Sequence, residues 1–114
     1  MKNVTSPKCI DLLDNQPEVF SGLSDHVLKQ FRRWLPKNEH VLSAFEDLSV
    51  SIRRQDRRQT YGVKHIAEKL RWDDTIRQDD PAYKICNTLT APIARCLMAL
   101  NPELRNMFRI RVAA

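Results

Sequence analysis

Between Ile52 and Arg71, in the run IRRQDRRQTYGVKHIAEKLR, seven fixed cations stand against two acids, Asp56 and Glu68. The cations are Arg53, Arg54, Arg57, Arg58, Lys64, Lys69 and Arg71. Guanidinium and ammonium groups at this density attract phosphates or clustered carboxylates, so the run is a candidate nucleic-acid or partner-binding face. Trp72, Arg95, Arg109 and Arg111 are the additional contacts that such a face would recruit. An alternative places the arginines on a solvated helix end. There, bases that follow the acids Glu39, Glu46 and Asp47 suit the helix dipole and need no partner.

Other chemistry is thin. The chain has no glycine-rich phosphate loop, no GxSxG nucleophile turn and no HExxH helix, so no catalytic residue is assigned and an enzyme is not expected. His65 and Glu68 stand one helical turn apart, a spacing able to hold a metal or a proton. No second histidine lies near them in sequence, and His26 and His40 approach only through folding. No metal and no cofactor are expected. Cys9, Cys86 and Cys96 are an odd number without a CxxC pair, which argues against both a disulfide framework and a zinc knuckle. They read as free thiols, Cys86 and Cys96 as small buried hydrophobes.

The 114 residues suit one modest core, and a formal net charge of +5 favours an anionic partner: nucleic acid or an acidic protein surface. The opening residues hold no apolar stretch of signal-peptide length, and no run is long enough to span a bilayer. With the free thiols, this makes a cytoplasmic protein without membrane contact the expectation.

Helices must position these residues. Only two glycines are present, Gly22 and Gly62, too few for the tight turns of an all-β fold. The fold class expected is all-α, a compact bundle of four to five short helices over 23–114, preceded by a weakly patterned leader over 1–22. In the leader, Ile10, Leu12 and Leu13 suggest a short helix before Pro17. Ser24 is a good N-cap for a helix ending near Leu35, with Val27, Leu28, Phe31 and Leu35 on one stripe and Pro36 as the stop. A helix after Asn38 carries Val41, Phe45, Leu48 and Ile52 on one face. A third, from about Val63 to Trp72 or Ile76, has apolar groups on two faces, leaving Trp72 either in the core or exposed as a contact. Four aspartates mark a linker over 73–87. Pro81 is expected to interrupt helix there, with a short extended segment at Tyr83 and Ile85. The next helix is expected to open at Thr88 or Thr90 with Pro92 in its first turn. It is apolar nearly all round from Leu89 to Leu100, which marks it as the central helix. Asn101, Pro102 and Glu103 then cap a short helix burying Leu104, Met107 and Phe108. The final FRIRVAA alternates with period two, compatible with a short strand or a draped tail.

The segments YGVKHIAEKLRWD, YKICNTLTAPIAR and NPELRNMFRIR together resemble a family of small uncharacterised bacterial and phage or mobile-element proteins. The shared pattern falls on Arg71 and Trp72, on Tyr83 to Asn87, on Ala94 and Arg95, and on Pro102 with Phe108 and Arg111. The resemblance implies a bacterial or phage cytoplasmic setting. It carries no known activity and assigns no site residue.

Two functions compete on these grounds. In one, the protein is a small non-enzymatic module whose basic face contacts the nucleic-acid backbone, without major-groove readout because the Leu89 to Leu100 helix lacks a polar face. In the other, it is a phage- or mobile-element-borne inhibitor or accessory factor that binds a host nucleic-acid-processing or defence complex. The cysteine reading is checked by thiol labelling after denaturation without reductant. Three reactive thiols per chain are expected, and a Cys86–Cys96 bridge in freshly isolated protein is the opposing result.

Overall fold

The computed structural model describes residues 3–55 and 81–108, with side chains from residue 89 onward in the second stretch. Four helices appear in that range: α1 (Ser6–Asn15), α2 (Asp25–Trp34), α3 (Glu39–Gln55) and α4 (Pro81–Leu100). Short 3₁₀ turns follow at Pro17–Phe20, Leu35–Lys37 and Pro102–Leu104. No β-strand occurs among the described residues. The fold is a small all-α bundle.

Local sequence explains most of the boundaries. The Ser24 hydroxyl accepts the Val27 N–H at 3.2 Å and starts α2, as an N-cap should. Pro36 has no N–H to extend that helix, and the chain tightens into the Leu35–Lys37 turn. Asn38 then donates its side-chain amide to the Trp34 carbonyl at 2.8 Å, satisfying one of the carbonyls left open at the end of α2. Asn101 accepts the Glu103 N–H at 3.0 Å, and Pro102 takes the first position of the last turn.

α4 is the central element. It packs against α1, α2, α3 and the turns at Pro17–Phe20 and Pro102–Leu104, with Leu89, Ile93, Cys96 and Leu97 fully buried. Phe31 and Trp34 from α2 stack in the same core at 6.2 Å between ring centroids, and Phe20 meets Phe31 at a tilt at the same separation. Val41, Leu42 and Phe45 close the core from α3, with Leu104, Met107 and Phe108 from the end of the described chain.

Three sequence expectations about α4 are corrected. Tyr83 and Ile85 are helical, not extended, and the helix opens at Pro81 rather than at Thr88 or Thr90. Proline stands at the first helical position without loss, because the N–H it lacks has no intrahelical acceptor there. Pro92 lies well inside the helix instead of in its first turn. An interior proline costs about 3 kcal/mol, an amount that burial of several large apolar side chains on the same helix offsets.

Residues 3–22 join this core. Val4, Cys9, Leu12 and Phe20 are buried with the rest. Two carboxylates of α3 hold the segment in place: Glu39 accepts the Ser6 N–H at 2.9 Å, and Glu46 accepts the Val4 N–H at 3.2 Å. The Ser6 hydroxyl sits between the Leu35 carbonyl, 2.6 Å away, and the Glu39 carboxylate. An acid at the first turn of α1 also suits the positive end of its dipole. Glu46 is only 3 % exposed, and its second oxygen accepts the Asn101 side-chain amide at 2.9 Å. Glu46→Ala leaves two buried donors unsatisfied and is expected to cost about 2–4 kcal/mol of folding stability. Chemical denaturation of both proteins checks this, and an unchanged midpoint and slope would contradict it.

Candidate nucleic-acid interface

The basic run begins in the last turn of α3, and its first two arginines already have work inside the fold. Arg53 is half-buried and donates from its guanidinium to the Arg105 carbonyl at 2.9 Å. That contact reaches the backbone just beyond the Pro102–Leu104 turn. Arg54 is exposed and grips the Glu103 carboxylate with two nitrogens, at 3.0 and 2.8 Å. The bidentate pair raises the guanidinium pKa, first through the hydrogen bonds and then through the opposite charge. Both arginines therefore join α3 to the end of the chain that follows α4. Arg57, Arg58, Lys64, Lys69, Arg71, Trp72, Arg109 and Arg111 lie outside the described residues, as do the expected third helix, the His65–Glu68 pair and the Cys86 side chain.

Arg95 is not on this face. It is 7 % exposed, and one guanidinium nitrogen donates to the carbonyls of Val19 at 3.1 Å and Ser21 at 2.6 Å. Burial lowers its pKa. Gly22 stands next to it with φ of +89°, a left-handed conformation that a side chain adopts with difficulty. The apolar pattern around Arg95 signals its helix is central, but periodicity gives no hint that the cation itself turns inward to hold a turn at the opposite end of the chain.

Beside Arg54 is a cleft of about 730 Å³ lined by Asn3, Glu46, Asp47, Ser51, Arg54 and Glu103, among others. Acids outnumber bases in that set, and its deepest carboxylate, Glu46, already holds two donors. The cleft is thus poorly suited to phosphate. Among the described residues no group of three or more His, Cys, Asp or Glu is arranged to hold a metal. Cys9 and Cys96 are free, buried thiols, and the Cys96 pKa is pushed well above the ordinary thiol value by burial and by the Cys9 thiol against it. Such thiols are poor nucleophiles. No described helix is long and apolar enough to cross a membrane.

A basic row elsewhere escaped the sequence reading. Arg32, Arg33 and Lys37 follow Lys29 through α2 and its 3₁₀ turn, in the stretch KQFRRWLPK. The apolar stripe of α2 drew attention to its inner face, and the same periodicity, read for charge, locates the row. Arg32 makes a bidentate pair with Asp14 of α1, at 2.7 and 3.0 Å.

The fold and the charged faces define a small, basic, all-α bundle. Comparison with protein-family models, with curated proteins and with solved structures found no match to this chain.

The Asp14–Arg32 pair yields a pH dependence. Hydrogen bonding to Arg32 depresses the Asp14 pKa below 3.8. A carboxylate with a depressed folded-state pKa contributes stability that is complete above its unfolded pKa and disappears as pH falls through the folded one. The Tm of wild type should therefore exceed that of Asp14→Asn slightly at neutral pH, with the difference closing below the normal aspartate range. Calorimetry across that range checks this, and a gap that widens toward acid would contradict it.

Proposed function

We propose that this bundle is a non-enzymatic binding protein whose basic run contacts the nucleic-acid backbone. One observation carries the reading: seven fixed cations against two acids from Ile52 to Arg71, in a chain of net charge +5. Cations that neutralise phosphates release condensed counterions, so affinity of this kind needs no base readout and falls steeply with salt. Arg53 and Arg54 serve as the brace at the root of the run, and the contact role passes to Arg57, Arg58, Lys64, Lys69 and Arg71. Trp72, Arg109 and Arg111 extend it.

A second reading has one observation in its favour. Arg54 pairs with a carboxylate, Glu103, in full bidentate geometry. Arginines further along the run would do the same on an acidic protein, as expected of an inhibitor or accessory factor of a host nucleic-acid-processing or defence complex. The bacterial or mobile-element resemblance suits this reading equally well.

Fluorescence anisotropy with labelled oligonucleotides separates the two. On the nucleic-acid reading, replacing Arg57, Arg58, Lys64 and Lys69 by Gln should leave Tm nearly unchanged, because charges that serve a partner rather than the fold contribute little to folding. The slope of log affinity against log salt should fall by about 0.7–0.9 for each phosphate contact removed. A variant that binds as tightly as wild type would overturn the proposal. Co-purification with a protein subunit and no absorbance of nucleic acid would favour the second reading.

A further inference from the structure

Four cations project from α2 and its following turn, and among the described residues only one of them has a partner. Arg32 is neutralised by Asp14. Lys29, Arg33 and Lys37 make no hydrogen bond or ion pair with any described residue. Lys29 and Arg33 stand four residues apart on the helix, and Lys37 continues the row into the 3₁₀ turn, so the three share one side. At about 1.5 Å of rise per residue the row is roughly 12 Å long, the axial length over which one nucleic-acid strand presents three to four phosphates. Arg33 and Lys37, with the Gln30 amide and Asn38, line a shallow groove of about 240 Å³. The nearly buried ring of Trp34 forms its floor.

Helix-dipole matching accounts for part of this row and not for the rest. Arg33 lies in the last turn of α2, where a base is favourable without any ligand. Lys29 sits before that turn, beyond the reach of the helix end, and has the same lack of a partner. Among the described residues the local acids are few: Asp25 at the helix start is the only one on α2, and Asp14 is taken by Arg32. Among the described residues the unpaired charge is therefore one-sided, and the groove adds an amide donor beside two cations. Donors without acceptors, set along a row, are the chemistry of a phosphate-tracking surface.

We propose that Lys29, Gln30, Arg33 and Lys37 form a second phosphate-contacting surface, separate from the run after Ile52, that binds the backbone of a nucleic-acid strand without reading its sequence. This rests on the nucleic-acid reading of the function. Trp34 supports the groove and does not stack on a base, since its ring is already packed on Phe31.

The test compares wild type with the Lys29→Gln, Arg33→Gln, Lys37→Gln triple variant and with Asp14→Asn. Anisotropy titrations use labelled DNA and RNA strands and a DNA duplex, each about 20 nucleotides long, over about 50–200 mM salt. Loss of three contacts should weaken binding at low salt at least about tenfold and reduce the salt slope by about two to three, while Tm stays within a few degrees. Asp14→Asn removes an acid and frees Arg32 beside Arg33, so it should tighten binding and raise the slope by about one. The strand, RNA and duplex arms show which backbone is preferred. A triple variant with wild-type affinity and slope, in a protein whose wild type binds, overturns this surface and leaves the run after Ile52 standing. No binding by wild type to any oligonucleotide overturns the functional reading and this surface with it. Displacement of the oligonucleotide by polyglutamate at equal charge, lost in the same variant, would overturn the nucleic-acid assignment in favour of an acidic protein.

Discussion

The Glu46 carboxylate sits where three parts of the chain have to agree. It projects from the middle of α3, accepts the backbone N–H of Val4 with one oxygen and accepts the Asn101 amide with the other. Asn101 in turn caps the Pro102–Leu104 turn through its own side-chain oxygen. The start of the described chain, the long third helix and the end of the central helix thus meet at one buried acid. Low exposure strengthens each of these bonds, and it also makes any one of them costly to lose. The core can be filled by many combinations of Leu, Ile and Phe. The relative placement of its two ends depends on a polar contact that tolerates far fewer substitutions.

The arginines show how a small basic protein divides its charge between structure and surface. Arg95 holds the carbonyls of the first 3₁₀ turn, Arg53 holds a carbonyl beyond the last, Arg54 pairs with Glu103 and Arg32 with Asp14. Each of these joins elements distant in sequence, so part of the positive charge that looks like a partner signal is internal bracing. The distinction is chemical rather than numerical. Guanidinium, with its planar set of donors, fills the bracing positions, whereas the cations of α2 and its turn with no partner among the described residues include both lysines of that row.

Sequence periodicity revealed the elements whose inner faces are mostly apolar. Val41, Phe45 and Ile52 mark the inner face of α3, and the Ser24 cap and Pro36 stop bound α2 because both act through the local backbone. Asn101, Pro102 and Glu103 were legible for the same reason. The start of α4 was not: proline breaks a helix in its interior and favours one at its first position, and Pro81 gives no sign of which applies until its neighbours are packed. Glu39 and Glu46 read as exposed acids matched to a dipole, because their acceptor role depends on Val4 and Ser6 being carried back against α3. As for the basic surface, charge density located the run after Ile52, while the row on α2 stood behind an amphipathic pattern that was read only for its apolar side.

The separation of these ties along the chain sets an order of events during synthesis. Val4 is held by a residue 42 positions later, Glu46 by one 55 positions later, and the turn after α1 by an arginine 76 positions beyond Val19. A polypeptide leaving the ribosome N-terminus first therefore presents α1 and its turn long before their anchors exist. Arg95 and Asn101 are made long after α1, and closing such long loops is slow compared with forming the helices themselves. α1 and its turn are fully secured only once α4 is made, and until then their apolar side chains are open to chaperones or to the same segment of a neighbouring nascent chain.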